Sequence, residues 1–432
     1  MRIAIIGAGV SGLVAARMLH QDHEIVVYEA GHYAGGHANS VDVELDDEQF
    51  TVDTGFMVFN DRTYPNFCRL LEILGTPARS SDMSFSVRCD RTGLEYQGSS
   101  FNGLFAQRQN LLRPEFHQML ADIVRFNRES REYVATGNRE TKLGRFLEQG
   151  NYGEMFRQQY LIPMIAAIWS APPSEILEFP AIFIIRFFDN HGLLQVRDRP
   201  VWKTIPGGSR EYIRALVAPF RSLVQLNAPV ESIRRHAECV QVEALGHTES
   251  FDKIVLATHA DQSLRMLADV DDKEQEFLGA FPYQENEAIL HIDTTQLPRR
   301  PRAWASWNYR VGEKSAGRAS VTYDLSRLQR IHSPVPILLT LNPTAPVDPA
   351  KMLRRFTYHH PVFSLHSIAA QSRFGQLQGH RRTYYCGAYR FNGFHEDGVN
   401  SALEVGAHFG KGLEDCKAAS TKATSLTNEF AL

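Results

Sequence analysis

Near the start of the chain, Gly7-Ala8-Gly9-Val10-Ser11-Gly12 has the residue types and spacing of an anion site built from backbone. Glycine at the first position permits a sharp turn out of a strand. Glycine at the second lets the backbone approach a pyrophosphate, and glycine at the third lets the next helix pack tightly on the strand. The helix N-terminus then offers unpaired N–H groups and a positive dipole end to phosphates. Glu29 follows about 20 residues after the glycines, where a carboxylate can accept hydrogen bonds from ribose hydroxyls. The chemistry implied is retention of the ADP half of a dinucleotide.

Those residues need elements that hold them. An apolar run, Ile3 to Ile6, leads into the glycines, a helix-like segment follows, and a second apolar run, Glu24-Ile25-Val26-Val27-Tyr28, ends at Glu29. The order is strand, glycine turn, helix, strand, acid. Gly35-Gly36-His37 suggests another close backbone approach, and Phe50 to Met57 reads as a strand ending in a turn at Gly55. Residues 64–75 carry helical spacing that Gly75 and Pro77 end. Residues 104–160 read as amphipathic helix, and 161–195 are unusually apolar, broken by Pro172 and Pro173. Two readings of 161–195 stand: a buried helix pair, or the lining of an apolar substrate cavity.

Gly207-Gly208-Ser209 marks a loop entering a helix, and Val224–Asn227 and Cys239–Val242 read as short strands. Phe251 to Thr258 reads as a central parallel strand, and residues 284–341 hold several more strand-like pieces. Thr383 to Asp397 reads as strand, glycine turn, and a helix opening near Glu396 and Asp397, where acids suit the first turn. From about Gly412 the chain is polar and reads as a loosely held tail.

A length of 432 residues suits two domains, and the 43% hydrophobic and 22% charged fractions are ordinary for a globular protein. Net charge is −3, so no basic balance points to nucleic acid. The five cysteines have no CxxC spacing and read as reduced thiols of a cytoplasmic protein. No leader is expected before the first strand, and no run of about 18 apolar residues predicts a membrane-spanning helix. His359 and His360 are adjacent, His395-Glu396 is not an HExxH motif, and no GxSxG occurs, so neither a metal site nor a hydrolase is expected. No second GxGxxG occurs, so electrons are expected from the substrate rather than from NADPH.

Taken together, residues 3–40, 52–67, 202–270 and 383–404 resemble the flavin-containing amine oxidase superfamily, which includes protoporphyrinogen oxidases and phytoene desaturases. Within it the likeness is to a bacterial branch described as predicted NAD/FAD-binding proteins. The resemblance implies FAD as cofactor. Gly7, Gly9, Ser11 and Gly12 would hold its pyrophosphate and Glu29 its adenosine ribose; Gly35 and Gly36 match the glycine pair that favours FAD over NAD. His37 stands where many amine oxidases have arginine. Gly55, Phe56 and Met57 match a turn facing the flavin ring, and Val230 the residue meeting adenine. Gly387, Ala388, His395 and Glu396 match the motif whose helix points at the ribityl chain and pyrimidine edge. The lysine of amine oxidases has no counterpart around His291, and Phe394 replaces a common cage tyrosine.

The expected fold is α/β: a Rossmann-like FAD domain (1–75, 205–270 and 370–410) interleaved with an α+β substrate domain (76–204 and 271–369), and a polar tail over 412–432. The expected activity is FAD-dependent oxidation, with hydride leaving an apolar, lipid-like substrate with an unsaturated acyl chain. Amine oxidation, flavin-assisted isomerisation and a role as flavoprotein partner of a lipid-modifying enzyme are the alternatives. No catalytic residue is assigned. Trp169, His191, Trp304, Trp307 and Tyr389 are aromatic candidates either for the substrate site or for ordinary packing. Peripheral membrane contact is expected from the substrate class.

Overall fold

The structure, a computed structural model, describes residues 1–136, 140–169, 173–195, 200–312 and 320–417. Pro172, expected to break the apolar run, and most of the expected tail lie outside the described residues.

Five parallel strands form the first sheet, in the order Val224–Gln225, Glu24–Tyr28, Arg2–Ile6, Lys253–Leu256, Thr383–Tyr385. Their apolar runs are buried on both faces, as parallel strands covered from two sides require. One face carries the helices Val10–Leu19, Pro65–Leu74, Arg210–Val217 and His395–Ala407. The other packs on a three-stranded antiparallel sheet spanning Val230–Phe251. The helix expected over 64–75 forms as Pro65–Leu74, with Gly75 left-handed at its end.

A second sheet has seven strands, in the order Met352–Pro361, Tyr283–His291, Leu338–Leu341, Ser320–Asp324, Trp307–Val311, Phe85–Cys89, Glu95–Gln97. Only the pairing of Trp307–Val311 with Phe85–Cys89 is parallel. The apolar stretch around 161–195 forms the helices Ile162–Trp169 and Ala181–Asn190, which share a core with this sheet and with the long helix Pro114–Thr136.

Two segments depart from the expected division. The hairpin Ser40–Leu45 and Glu48–Asp53 sends Val41, Val43 and Val52 into the second core, because its alternating residues give it one apolar face. The expected loose tail is held at its start: Leu413–Cys416 forms a 3-10 turn, Cys416 is buried, and Arg17 Nε donates to its carbonyl at 2.8 Å. Polarity misleads there because the anchors are one sulfur and one backbone oxygen.

Candidate functional site

The strand Arg2–Ile6 ends at Gly7, whose φ of 102° is open to glycine and whose N–H donates to Tyr28 O at 2.7 Å. Gly12 is a packing glycine: a Cβ there would sit 2.0 Å from Gly7 O. Gly9 is different, since a Cβ there would meet nothing within 4 Å. Gly9 caps the helix Val10–Leu19 with no side-chain hydrogen bond and no acid in the first turn. Space is therefore open beside Gly9 at a helix N-terminus in a half-buried turn, the kind of place where such helices bind a pyrophosphate.

Other predicted residues gather on this turn. Glu29 accepts from Ala8 N at 2.8 Å through one oxygen and from Gly31 N at 2.7 Å through the other. Gly35 N donates to Ala8 O at 2.8 Å, and a Cβ on Gly36 would lie 3.2 Å from Gly9 Cα. His37 O receives Phe56 N at 2.7 Å, which pins the Gly55-Phe56-Met57 turn against the glycine pair. Ala228 N donates to Glu29 O, placing the start of the strand Val230–Arg235 on the far side of that acid. Ser11 lies in the first helix where the final helix crosses it: a Cβ on Gly398 would meet Val10 Cγ1 at 2.6 Å and Ser11 Oγ at 3.0 Å. The first turns of the helices Val10–Leu19 and His395–Ala407 thus meet at one place. Gly387 is fixed by Ser401 Oγ, 2.8 Å from its N–H, and Ala388 opens the turn that leads to the final helix.

His395 is stacked on Phe56, with centroids 3.7 Å apart and planes 9° from parallel, and its Nε2 lies 2.6 Å from Tyr212 OH. Burial pushes its pKa down to about 3, so it is neutral. Glu396 points its carboxylate at Asn66 N and Phe67 N, 2.9 and 2.8 Å away. It caps the helix Pro65–Leu74 and ties the final helix to it. Asp397 accepts from Phe394 N at 2.8 Å, and burial pushes its pKa up to about 7. With Tyr64, His191 and Phe394 it lines a cavity of about 210 Å3 between the two cores.

Sequence reasoning missed the second wall. His37 faces Tyr358, His360 and His259, with ring centroids 5.2, 5.6 and 6.3 Å away. Tyr358 OH lies 2.8 Å from Thr54 Oγ1 and receives Asn39 Nδ2. Burial lowers the imidazoles of His37 and His259 to about 4 and that of His360 to about 3. Buried His37 Nε2 and Tyr389 OH have no partner within the protein. Asp53, whose pKa burial raises to about 6, holds Ser209 through its N–H and hydroxyl. His37 and the adjacent His359-His360 pair could be singled out separately in the sequence, but their meeting with each other and with His259 depends on the fold. Among the described residues no group of three or more His, Cys, Asp or Glu is arranged to hold a metal ion.

The aromatic candidates divide. Trp169 and His191 pack on Phe187, at 4.5 and 3.8 Å between centroids, and Phe187 reaches Phe394 at 5.1 Å. Trp304 Nε1 donates to Pro298 O, Trp307 packs edge-on to Tyr323, and Tyr389 sits in the core beneath the parallel sheet. His291, on the strand where the lysine is lacking, is buried against Thr340 Oγ1.

An uncapped helix N-terminus, a glycine whose side-chain position is open, an acid that fixes the turn beside it and the unpaired His37 Nε2 nearby together suit a bound dinucleotide. This is the class of α/β FAD-binding proteins. Residues 10–297 match the family described as flavin containing amine oxidoreductase, and the chain belongs to that family; its cofactor is FAD. AofH of Mycobacterium tuberculosis, named as a flavin-containing monoamine oxidase, is 26% identical over 257 residues, which are 56% of this chain and 53% of AofH. The chain spans about half the length of the curated relatives it matches. Among solved structures, a CLA-producing fatty acid isomerase from P. acnes superposes with a TM-score of 0.68 at 16% identity, covering 94% of this chain and 98% of that one. Cyclohexylamine oxidase from Brevibacterium oxydans gives 0.68 at 15% identity, covering 96% and 99%. These two likenesses concern the fold. No described helix is long and apolar enough to cross a membrane.

Proposed function

We propose that this protein is an FAD-dependent oxidoreductase that takes hydride from a carbon of an apolar, lipid-like substrate with an unsaturated acyl chain. The observation behind it is the aromatic group of Trp169, Phe183, Phe187, His191 and Phe394. It joins the apolar helix Ala181–Asn190 to the residue preceding the final helix. It carries no charge near neutral pH, because burial lowers the His191 imidazole to about 4. FAD, when bound, supplies the hydride acceptor.

The chain's own residues bind and orient. Residues 7–12, 35–37 and 55–57 would hold the cofactor, with Glu29 on the adenosine ribose and Val230 beside adenine. Phe187 and Phe394 would exclude water from an acyl chain and set its approach, so that positioning supplies much of the rate. The strand Tyr283–His291 carries no lysine, which argues against amine oxidation. A fatty acid isomerase shares the fold, so the architecture accommodates acyl chemistry.

The purified protein should be yellow, and anaerobic addition of an unsaturated fatty acid should bleach its flavin absorbance. Bleaching by amines alone would overturn the acyl reading. A second reading, flavin-assisted isomerisation, has the fatty acid isomerase likeness in its favour and predicts a product of unchanged mass. Turnover only after adding back a protein captured in a pull-down would indicate a partner subunit.

A further inference from the structure

Ten large hydrophobic residues are exposed among the described residues; three of them, Phe101, Leu111 and Leu112, lie on adjoining short elements, and a fourth, Val124, lies further along the helix that follows. Leu112 is 89% exposed, Phe101 67%, Val124 63% and Leu111 41%. The short helix Phe101–Leu104 and the 3-10 turn Arg108–Leu112 are folded together, because Arg108 donates to Phe105 O and Asn102 Oδ1. The turn runs directly into the helix Pro114–Thr136, and His117 Nε2 lies 2.8 Å from Leu111 O. Along that helix His117, Ala121, Val124, Arg128, Arg131 and Ala135 are exposed at spacings of three and four, so they share one face.

The surroundings are basic although the chain as a whole is at −3. Arg108, Arg113, Arg128 and Arg131 lie on these elements. The turn Pro301–Ala303, in the run Arg299-Arg300-Pro301-Arg302, packs on Phe101–Leu104. Three acids border the face: Glu115, 4.0 Å from Arg113, Glu129, 3.7 Å from Arg128, and Glu132. A groove of about 420 Å3 lies on the same helix face, lined by Val124, Arg128, Arg131, Glu132 and Leu194. Leu194 follows the apolar helix Ala181–Asn190, so the groove adjoins the substrate core.

We propose that this face is a docking surface for an anionic lipid bilayer. Phe101, Leu111 and Leu112 enter the interface, and the arginines meet the headgroups, with Arg128 and Arg131 in the groove. Exposed apolar side chains rimmed by arginine are the pattern of interfacial binding, where buried apolar area and attraction to anionic lipid act together. The proposal does not depend on which substrate reduces the flavin.

The test is co-sedimentation of the flavin-loaded protein with vesicles of phosphatidylglycerol or of phosphatidylcholine. The expected result is at least tenfold tighter binding to the anionic vesicles, largely lost in high salt. The double variant L112E/R128E changes two exposed side chains, so its flavin content and melting temperature should match the parent while vesicle binding falls about tenfold or more. Equal binding to both vesicle types, or a variant that binds like the parent, overturns the proposal. So does a parent that is a dimer and becomes a monomer on L112E, because the face would then be covered by a second copy. Flavin reduction by a soluble short-chain substrate is measured separately and tests the substrate reading alone.

Discussion

The two halves of the site are built from different materials. The cofactor half is made of backbone: Gly7, Gly9, Gly12, Gly35, Gly36, Gly55 and Gly387 bring chain segments together, and side chains such as Glu29 and Glu396 bond largely to main-chain amides. The substrate half is made of rings. Phe187, Phe394, Trp169 and His191 touch through faces and edges, and several residue types could satisfy each contact. A backbone-built site restricts residue type at fixed positions, whereas a ring-built one restricts volume.

The widest test of this contrast sets two glycines against each other. Gly12→Val should cost about 3 kcal/mol or more, because the new side chain meets a carbonyl that cannot yield, and soluble protein and flavin content should both collapse. Gly9→Ala should leave the flavin-free protein with its normal melting temperature while flavin content falls, because its Cβ fills space meant for ligand. If both variants unfold alike, Gly9 serves packing and the contrast weakens. On the substrate side Phe187→Ala should cost about 3 kcal/mol in urea denaturation through the cavity it leaves. Flavin should be retained, and reduction by an acyl substrate should slow.

Acid should weaken mainly the cofactor side. His37, His259, His360 and His395 are held neutral, with folded pKa values lowered to about 3 or 4. The unfolded chain takes up their protons below about pH 6.5, so their contribution is complete above that pH and is lost toward about pH 4. Asp53 and Asp397 act oppositely. Their carboxyls, raised to about 6 and 7, take up protons in the folded state first, which adds stability as pH falls. The histidines outnumber them, so the urea midpoint should be lower at about pH 5 than at about pH 7. An unchanged midpoint would show that these imidazoles take up protons in the folded protein as readily as in the unfolded chain. The smallest effect is expected for Glu29→Gln. It keeps one of two acceptors for the backbone amides and should weaken FAD binding about tenfold, measured by flavin titration of the stripped protein.

Legibility in the sequence follows the same divide. The glycine turn, Glu29, the helix at 65–74 and the final strand-turn-helix could be read because each is local and each restricts residue type. Tyr358, His360 and His259 could not, because they meet His37 only after the strand Met352–Pro361 crosses to the glycine pair. Glu396 could be assigned to the final motif but not to its partners Asn66 and Phe67, which lie far off in sequence. An acid at the third position of a helix was the available sign of Asp397, and its burial against Phe394 needed the fold.

The meeting of the first and final helices, with Gly398 against Val10 and Ser11, has a consequence for synthesis. The two helix ends are far apart in sequence. A nascent chain completes the glycine turn early, but it has no closed cofactor site until the last helix has left the ribosome. A chain stopped after the strand Thr383–Tyr385 would therefore leave the glycine turn without the helix that closes it.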